Sequence, residues 1–515
     1  MHKNALSSLA LCVAAAAAAG TLAQGQTTTI TNKIQSAGFN STFTLSAAQI
    51  KAANLSTSAV ANLEAAVRFD QSQLANGGTY EDAFYTLSGG GSSKETTTTT
   101  TTEPGKLLKV QRVTDPKSFT LPANTALSRI LYTTTNLNGT VIPNSAYVLW
   151  PFQPRVFNAT AADEGKATSA PVVLWSRGTA GFFGPAAPST NRGLWYANAA
   201  PFTLALDGYA VVASDFAGLG IDKSWDGSDI PHQYLASRVS ARDGLYALRA
   251  AKEAFAGLLS DEFVSFGHSQ GGGVAWGVAE VLAEKESESN FADLKTGYRG
   301  SIAGSPTTDL FTGTPYLILP FVSLGLKGIF PSFDLTEWFT SLGIARLNLF
   351  REIRGGIAEA QSLFLDPTSG PVIKEDSWNQ TWYVDAYSRL GNVGSRPFLG
   401  PLLVIQGTAD VYIPYPVTTK TVTDTCQFLE SEKISADLEY LVVNGTMHVP
   451  TLDATRPIWL KWIADRFEGR PVERSGCVTT NLESWLPLEN YILTSDSYLQ
   501  FAGEPEYSYE TPLGI

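Results

Sequence analysis

Cysteine, histidine and methionine are scarce in this 515-residue chain, which contains only three, four and two of them. The cysteines form no Cys-x-x-Cys pair and the histidines form no cluster, so we expect no metal ion and no other cofactor. Charged residues are also few, at 16%, and the net charge of −12 comes without a basic stripe, which argues against nucleic acid as a partner. The apolar fraction of 44% excludes a disordered chain and predicts a large buried core.

Apolar runs long enough to cross a membrane are missing as well. Residues 9–19 form an apolar run behind Lys3 and before the small residues at 21–23, a pattern typical of a cleaved signal peptide over residues 1–23. The later apolar stretch at 316–333 is interrupted by prolines and a lysine, so no transmembrane anchor is expected. We therefore predict a secreted, extracellular protein. Its candidate glycosylation sites are the sequons at Asn40, Asn54, Asn138, Asn158, Asn379 and Asn444.

Two cysteines would remain after the signal peptide is removed. Cys12 lies within that peptide, whereas Cys426 and Cys477 lie in the mature chain. An oxidising compartment and a single pair of thiols predict one disulfide between them. Two separate buried thiols are the alternative.

Composition divides the mature chain into segments. Residues 24–105 form an N-terminal extension, which has a helical pattern at 55–68 and a threonine run at 96–102 that is typical of a linker. The segments after it are the first part of an α/β core at 106–306, an insertion at 307–399, the second part of the core at 400–480 and a C-terminal tail at 481–515. The insertion is predicted to be a helical cap, because a structureless loop of that length is uncommon in a compact domain. A separate small domain with no role at the site is the alternative.

Short β-branched runs alternate with helical patterns throughout the two core segments. Asn138-Gly139 between the β-rich runs at 127–135 and 141–150 predicts a hairpin. Further strands are predicted at 171–176, 209–214, 262–266, 298–303, 401–406 and 438–443, and helices at 235–256, 271–285 and 450–466. Continuous apolar strands separated by helices indicate a doubly wound, mostly parallel α/β sheet.

The most informative motif is Gly267-His268-Ser269-Gln270-Gly271, which lies between a predicted strand and a predicted helix. That context is the one in which Gly-x-Ser-x-Gly forms a nucleophile elbow, a strained turn that exposes the serine hydroxyl. The start of the following helix offers backbone N–H groups to a developing oxyanion. Ser269 is therefore the predicted nucleophile, and the Gln270 amide is a predicted oxyanion donor.

The remaining members of a catalytic triad follow from their order in the chain. A base should come after the serine and the acid, and His448 is the only histidine that does so; His232 precedes the serine and His268 adjoins it. The acid should follow a strand, and Asp410 ends the run 402–410, whereas Asp424 and Asp437 lie in helical or turn stretches and are weaker candidates. Its carboxylate would hold the imidazole of His448 in the productive tautomer. Gly178 and Thr179, which follow the predicted strand at 171–176, are predicted to complete the oxyanion hole.

The chain resembles the fungal secretory lipase family, which includes Candida-type extracellular lipases and belongs to the α/β-hydrolases. The similarity spans about residues 106–480 and lies in the segments 178–181, 214–220, 231–235, 267–271, 407–414 and the loop around His448. It implies the triad Ser269, Asp410 and His448, a mostly helical cap, and hydrolysis of acylglycerols and simpler esters. Arg177 stands where family members often have a histidine, and Ala186 where they often have a cysteine.

These features predict a secreted serine carboxylic ester hydrolase, a lipase or carboxylesterase that acts in lipid degradation through an acyl-enzyme. The apolar cap stretch at 313–350, which contains Trp338, predicts that medium or longer acyl chains of neutral esters are accepted, with transient contact to a lipid interface. Ordinary packing of the cap helices is the alternative explanation of that stretch. The alternative function is a narrow esterase or deacetylase for a specialised metabolite; an acyltransferase, a peptidase and a non-catalytic binding protein are further alternatives.

Overall fold

The computed structural model describes residues 41–75, 82–87, 103–116, 119–157, 169–285, 290–312, 318–365, 370–374 and 379–491. The predicted signal peptide, the threonine run at 96–102 and the sequons at Asn40 and Asn158 lie outside the described residues, as does the tail beyond residue 491. Among the described helices, none combines the length and the apolar character that a membrane-spanning segment needs.

Within these ranges, ten strands form one sheet. They are β1 (Leu107–Gln111), β2 (Ala126–Thr135), β3 (Val141–Trp150), β4 (Ala170–Ser176), β5 (Ala210–Ser214), β6 (Leu259–His268), β7 (Tyr298–Gly304), β8 (Leu402–Gly407), β9 (Leu438–Val443) and β10 (Cys477–Leu482). Their order is β1-β2-β3-β5-β4-β6-β7-β8-β9-β10. The first three strands and β5 are joined by antiparallel pairs, and the strands from β4 to β10 run parallel. The predicted doubly wound, mostly parallel sheet is confirmed.

Helices cover both faces of the sheet, which explains why its central strands are apolar throughout. In chain order the helices are α1 (Ala47–Ala52), α2 (Thr57–Ser72), α3 (Pro201–Leu206), α4 (Ser237–Ala254), α5 (Gln270–Ala283), α6 (Ala292–Lys295), α7 (Leu319–Ile329), α8 (Ser341–Glu352), α9 (Ile357–Phe364), α10 (Trp382–Gly391), α11 (Tyr415–Ser431), α12 (Pro450–Ala454) and α13 (Arg456–Phe467). Along β4, Leu174 joins one apolar cluster with Trp276 of α5, whereas Trp175 joins another with Trp459 of α13. Alternate side chains therefore enter opposite cores.

The helices between β7 and β8 form a further apolar cluster, and the N-terminal helices belong to it. Leu63 and Val67 of α2 are buried there with Phe350 of α8 and Leu363 of α9. The Arg346 guanidinium of α8 donates a hydrogen bond of 3.1 Å to the backbone carbonyl of Ala53. The N-terminal helices are thus packed on α8 and α9, which lie between β7 and β8 in the chain.

The prediction of one continuous helix at 450–466 is wrong. The structure has two helices there, α12 and α13, with a break at Thr455. Pro457 lies in the first turn of α13. Because proline has no N–H and its ring clashes with the carbonyl four residues earlier, it is tolerated at a helix start but ends the preceding helix.

Candidate active site

Ser269 lies in a sharp turn between the end of β6 and the start of α5. Its backbone has φ 59° and ψ −121°, a strained conformation for a residue with a side chain. The turn is held by two hydrogen bonds, in which the Ser269 N–H donates to the Gly304 carbonyl (2.9 Å) and the Thr307 N–H donates to the Ser269 carbonyl (3.1 Å). Both chain neighbours of Ser269 are buried, whereas Ser269 itself is partly exposed. The sequence thus folds into the geometry of a nucleophile elbow.

The two motif glycines are required by close backbone contacts. A Cβ at Gly271 would lie 1.9 Å from the carbonyl oxygen of Ser176, the last residue of β4. A Cβ at Gly267 would lie 1.9 Å from the Gly271 carbonyl oxygen. Any larger residue would therefore force the elbow away from the neighbouring strand.

Asp410 and His448 lie together although they follow different strands. Nδ1 of His448 is 2.7 Å from Oδ2 of Asp410, and the other carboxylate oxygen accepts the N–H groups of Tyr412 (3.0 Å) and Ile413 (2.9 Å). Burial alone would raise the pKa of Asp410, but the charge and hydrogen bond of His448, with the Ile413 amide, hold it below its ordinary value. Since the carboxylate accepts from Nδ1, the Nε2 of a neutral His448 is left unprotonated and can act as a base.

The loop of His448 lies beside the elbow. The rings of His448 and His268, the residue before Ser269, have centroids 4.5 Å apart. His268 donates through Nε2 to the His448 backbone carbonyl at 3.0 Å. Within the described ranges, the hydrogen bonds of Ser269 all come from its backbone, so its hydroxyl hydrogen is not committed to another acceptor. Asp437, a weaker candidate for the acid, instead accepts the Gly476 N–H at 2.8 Å.

The predicted oxyanion residues lie around the elbow with different roles for their side chains. A Cβ at Gly178 would lie 3.1 Å from the Ser269 Cβ, so this backbone is next to the nucleophile. The Thr179 hydroxyl is paired with the Tyr234 hydroxyl at 2.7 Å. The Gln270 side chain is buried and accepts from Arg177 at 3.3 Å. The side chains of Thr179 and Gln270 are therefore both bonded to other side chains of the protein.

Arg177 is a buried cation beneath this loop. Its guanidinium donates to the Asp215 carbonyl at 2.8 Å and lies 4.6 Å from the centre of the Phe216 ring. Burial lowers its pKa to about 10, so it stays charged at neutral pH. Together with burial, this charge lowers the pKa of His232 to about 3. His232 is thus a neutral, buried side chain that donates to the Ala217 carbonyl (2.9 Å).

Tyr196 is a residue of this region that sequence reasoning missed. Its hydroxyl lies 2.6 Å from Nδ1 of His268. The short segment around Tyr196 carries no motif, and the contact joins residues 72 positions apart, so no local pattern marked it. The motif indicated only that His268 adjoins Ser269, and not which groups its ring would contact.

The predicted disulfide is confirmed. Cys426 of α11 and Cys477 of β10 are bonded, with a Cα–Cα distance of 6.0 Å. The bond closes a loop that contains β9 and His448, and so anchors both ends of the segment that carries the candidate base.

Comparison with solved structures places the chain among lipases and esterases in fold. Lipase A from Candida antarctica, in its closed state, is similar with a TM-score of 0.55 and 15% sequence identity, over 74% of this chain and 86% of that one. The rice cell wall degrading esterase LipA from Xanthomonas oryzae is similar with a TM-score of 0.50 and 16% identity, over 70% of this chain and 100% of that one. A putative hydrolase from Legionella pneumophila has a TM-score of 0.50 and 17% identity, over 71% of this chain and 98% of that one.

No protein-family model matches the chain, and no curated protein does. The resemblance to the fungal secretory lipase family therefore stays a prediction. The sheet order, the parallel strands and the helices on both faces, together with these structural neighbours, show that the chain has the α/β-hydrolase fold.

Proposed function

We propose that the protein is a serine hydrolase that cleaves carboxylic esters through an acyl-enzyme on Ser269. The observation that carries this proposal is the convergence of three loops, in which the strained Ser269 lies one residue from His268, His268 contacts His448, and His448 is bonded to Asp410. A nucleophile, a base and an acid that orients the base are the parts that acyl transfer requires. The lipase and esterase folds among the structural neighbours support the same reaction class.

The proposed reaction uses these residues in turn. Nε2 of His448 takes the proton of Ser269 Oγ as Oγ attacks the ester carbonyl carbon, and the carbonyl oxygen becomes an oxyanion. The N–H groups of Gln270 and of Gly178 or Thr179 bind that oxyanion. His448 then gives its proton to the departing alkoxide, leaving an acyl group on Ser269. Water, deprotonated by His448, attacks this acyl-enzyme, and the proton returns to Ser269 as the carboxylic acid departs.

Asp410 and Arg177 supply charge to this cycle. The Asp410 carboxylate, whose pKa is held below its ordinary value, remains ionised and stabilises the imidazolium of His448. Arg177 donates to the Gly178 carbonyl at 3.2 Å and to the side-chain oxygen of Gln270 at 3.3 Å, so it holds the Gly178 backbone and the Gln270 side chain.

Neutral esters with medium or longer acyl chains are the proposed substrates. The aromatic ring of Tyr412 borders the base, since it lies 5.4 Å from the His448 ring, and the preceding residue, Val411, is an apolar side chain that is 61% exposed. Trp338, in contrast, is buried against Phe333. Ordinary packing of the helices therefore explains the presence of this apolar side chain. The net charge of −12 weakly opposes binding to anionic lipid, so neutral droplets or micelles are the proposed interface.

Secretion and the segment boundaries given above belong to the same proposal. The disulfide fits an oxidising compartment. Of the described sequons, Asn54, Asn138 and Asn379 are exposed, whereas Asn444 is half-buried and its amide donates to Glu483 at 2.8 Å. We therefore expect glycans on the three exposed asparagines before Asn444.

A substrate panel tests the function. The purified protein is given p-nitrophenyl esters from acetyl to palmitoyl and a triglyceride emulsion, with EDTA present and with Ser269→Ala protein as the blank. We expect hydrolysis that extends to medium or longer chains and is lost in the blank. Activity confined to acetyl esters would replace the lipase assignment by the narrow deacetylase, and hydrolysis equal to the blank would overturn the enzyme assignment.

A further inference from the structure

His268, the residue before Ser269, has both of its ring nitrogens bonded. Nε2 lies 3.0 Å from the backbone carbonyl oxygen of His448, and Nδ1 lies 2.6 Å from the Tyr196 hydroxyl. A carbonyl oxygen can only accept, so Nε2 carries the proton. In a neutral imidazole Nδ1 then accepts, and the Tyr196 hydroxyl donates to it. The two contacts fix both the tautomer and the orientation of the ring.

The ring of His268 keeps this arrangement while its neighbour changes charge. Burial, together with the positive charge that His448 can carry, lowers the pKa of His268 to about 3. His268 therefore stays neutral when His448 is protonated. It cannot compete as a base, and its Nε2 remains a donor to the His448 carbonyl.

Tyr196 is held in place by an unusual stretch of backbone. Its neighbours Leu194, Trp195 and Ala197 all have positive φ angles, of 50°, 70° and 40°. Such positions persist where the surrounding structure over-determines them, often next to functional sites. The Tyr196 hydroxyl also touches the backbone of the oxyanion loop, because a Cβ at Gly178 would lie 2.2 Å from it. One hydroxyl thus contacts both the loop of Gly178 and the ring of His268.

The geometry points to Tyr196 and His268 as positioning residues for ester hydrolysis, which hold the loops of His448 and Gly178 in register with Ser269. This inference rests on the proposed function. The chain of contacts runs from Gly178 to Tyr196, from Tyr196 to His268, and from His268 to the His448 carbonyl. Asp410 fixes the ring of His448 by Nδ1, and His268 fixes its backbone. The Ser305 hydroxyl also reaches the His448 carbonyl, at 3.5 Å, and is the weaker donor by distance.

Loss of the His268 donor should displace His448 rather than remove it. A misplacement of about 1 Å at a catalytic group can lower the rate on the order of 10²-fold. The largest effect is expected on proton delivery to a poor leaving group, because a good leaving group departs without a proton. Simple loss of folded protein would instead reduce the rates on all esters equally.

The test compares two esters that share an acyl group. We would measure kcat/KM, which reports acylation, for p-nitrophenyl butyrate and ethyl butyrate with wild type, His268→Leu, His268→Gln and Tyr196→Phe. His268→Leu cannot donate to the His448 carbonyl, and the side-chain amide of His268→Gln can. His232→Gln is the matched control, since His232 is also buried and bonds the Ala217 carbonyl instead.

We expect His268→Leu to lower kcat/KM for the ethyl ester on the order of 10²-fold, and for the p-nitrophenyl ester by clearly less. His268→Gln should restore the wild-type ratio of kcat/KM for the two esters. Tyr196→Phe should shift this ratio in the same direction as His268→Leu. His232→Gln should leave it unchanged. A wild-type ratio in both His268→Leu and Tyr196→Phe would overturn the inference while the proposed function stands. If His268→Leu does not fold, Tyr196→Phe decides by the same criterion. Wild-type protein that cleaves neither ester overturns the proposed function instead.

Discussion

Nδ1 of His448 lies 2.7 Å from Oδ2 of Asp410, although the two residues are 38 positions apart and follow different strands. The other carboxylate oxygen is held by the N–H groups of Tyr412 and Ile413. Gln406 donates to Oδ2 at 3.1 Å as well. A carboxylate that is so fully bonded has one orientation, and through it the imidazole has one orientation too.

Asp410→Asn should therefore lower kcat on the order of 10⁴-fold without unfolding the protein, because the amide favours the wrong tautomer of His448. The measurement is steady-state hydrolysis of a soluble ester, with circular dichroism to check the fold. Asp437→Asn is the matched control and should keep wild-type kcat, because Asp437 bonds the Gly476 N–H at the far end of β9. The reverse pattern would assign the acid to Asp437.

The elbow glycine gives a test of packing. Gly271→Ala places a Cβ where the Ser176 carbonyl oxygen is 1.9 Å away, so we expect loss of soluble protein or of activity. Gly244→Ala in α4 is the control, because its Cβ would meet only Leu174 at 3.5 Å. That variant should stay active and gain roughly 1 kcal/mol in free energy of unfolding, the usual effect of alanine in a helix. Wild-type melting temperature and activity in Gly271→Ala would show that the elbow is not confined as described.

Two carboxyl groups join the N-terminal extension to the insertion, and they predict a pH dependence of stability. Burial and the charge of Glu359 on α9 raise the pKa of Asp70 on α2 well above its ordinary value of 3.8. Burial raises the pKa of Glu359 as well, and its carboxylate accepts the Gly356 N–H at 2.8 Å. A raised pKa means that the folded state binds the proton more tightly, so this contribution is complete below the ordinary pKa and is lost as the pH rises through the raised value.

In Asp70→Asn, the side-chain amide can still donate to Glu359, and the carboxyl group that titrates is removed. The melting temperature of Asp70→Asn relative to wild type should therefore rise between about pH 4 and about pH 8. Ser72→Ala is the control, because Ser72 is a buried residue of the same helix without a titratable group, and its difference from wild type should stay flat with pH. A difference for Asp70→Asn that does not change with pH would contradict the raised pKa of Asp70.

The central strands of the sheet could be predicted because they are continuous apolar runs. The edge strands β1 and β10 could not be predicted. β10 has exposed and half-buried residues in alternation and no apolar run, so no pattern separated it from the tail. The packing of α2 on the insertion was missed because the apolar face with Leu63 and Val67 indicates burial without naming the partner. Local patterns predict an element, and only the tertiary structure says what covers it.

In the candidate site, too, some residues could be predicted from the sequence and others could not. Ser269, Asp410 and His448 could be predicted because each stands in a loop directly after a strand, in an order along the chain that the chemistry fixes. The side chains of Thr179 and Gln270 could not be assigned, since their partners Tyr234 and Arg177 are chosen by long-range packing. The role of Tyr196 depends wholly on such packing.

The covalent intermediate on Ser269 is the central claim, and it can be observed directly. An alkyl fluorophosphonate traps a serine that a neighbouring base activates, and peptide mass spectrometry identifies the modified residue. We expect one labelled residue, Ser269, with loss of ester hydrolysis in step with labelling, no label in Ser269→Ala, and activity in that variant lower on the order of 10⁴-fold or more. Label on another residue, or Ser269→Ala protein free of wild type that keeps more than a few per cent of activity, would contradict the account.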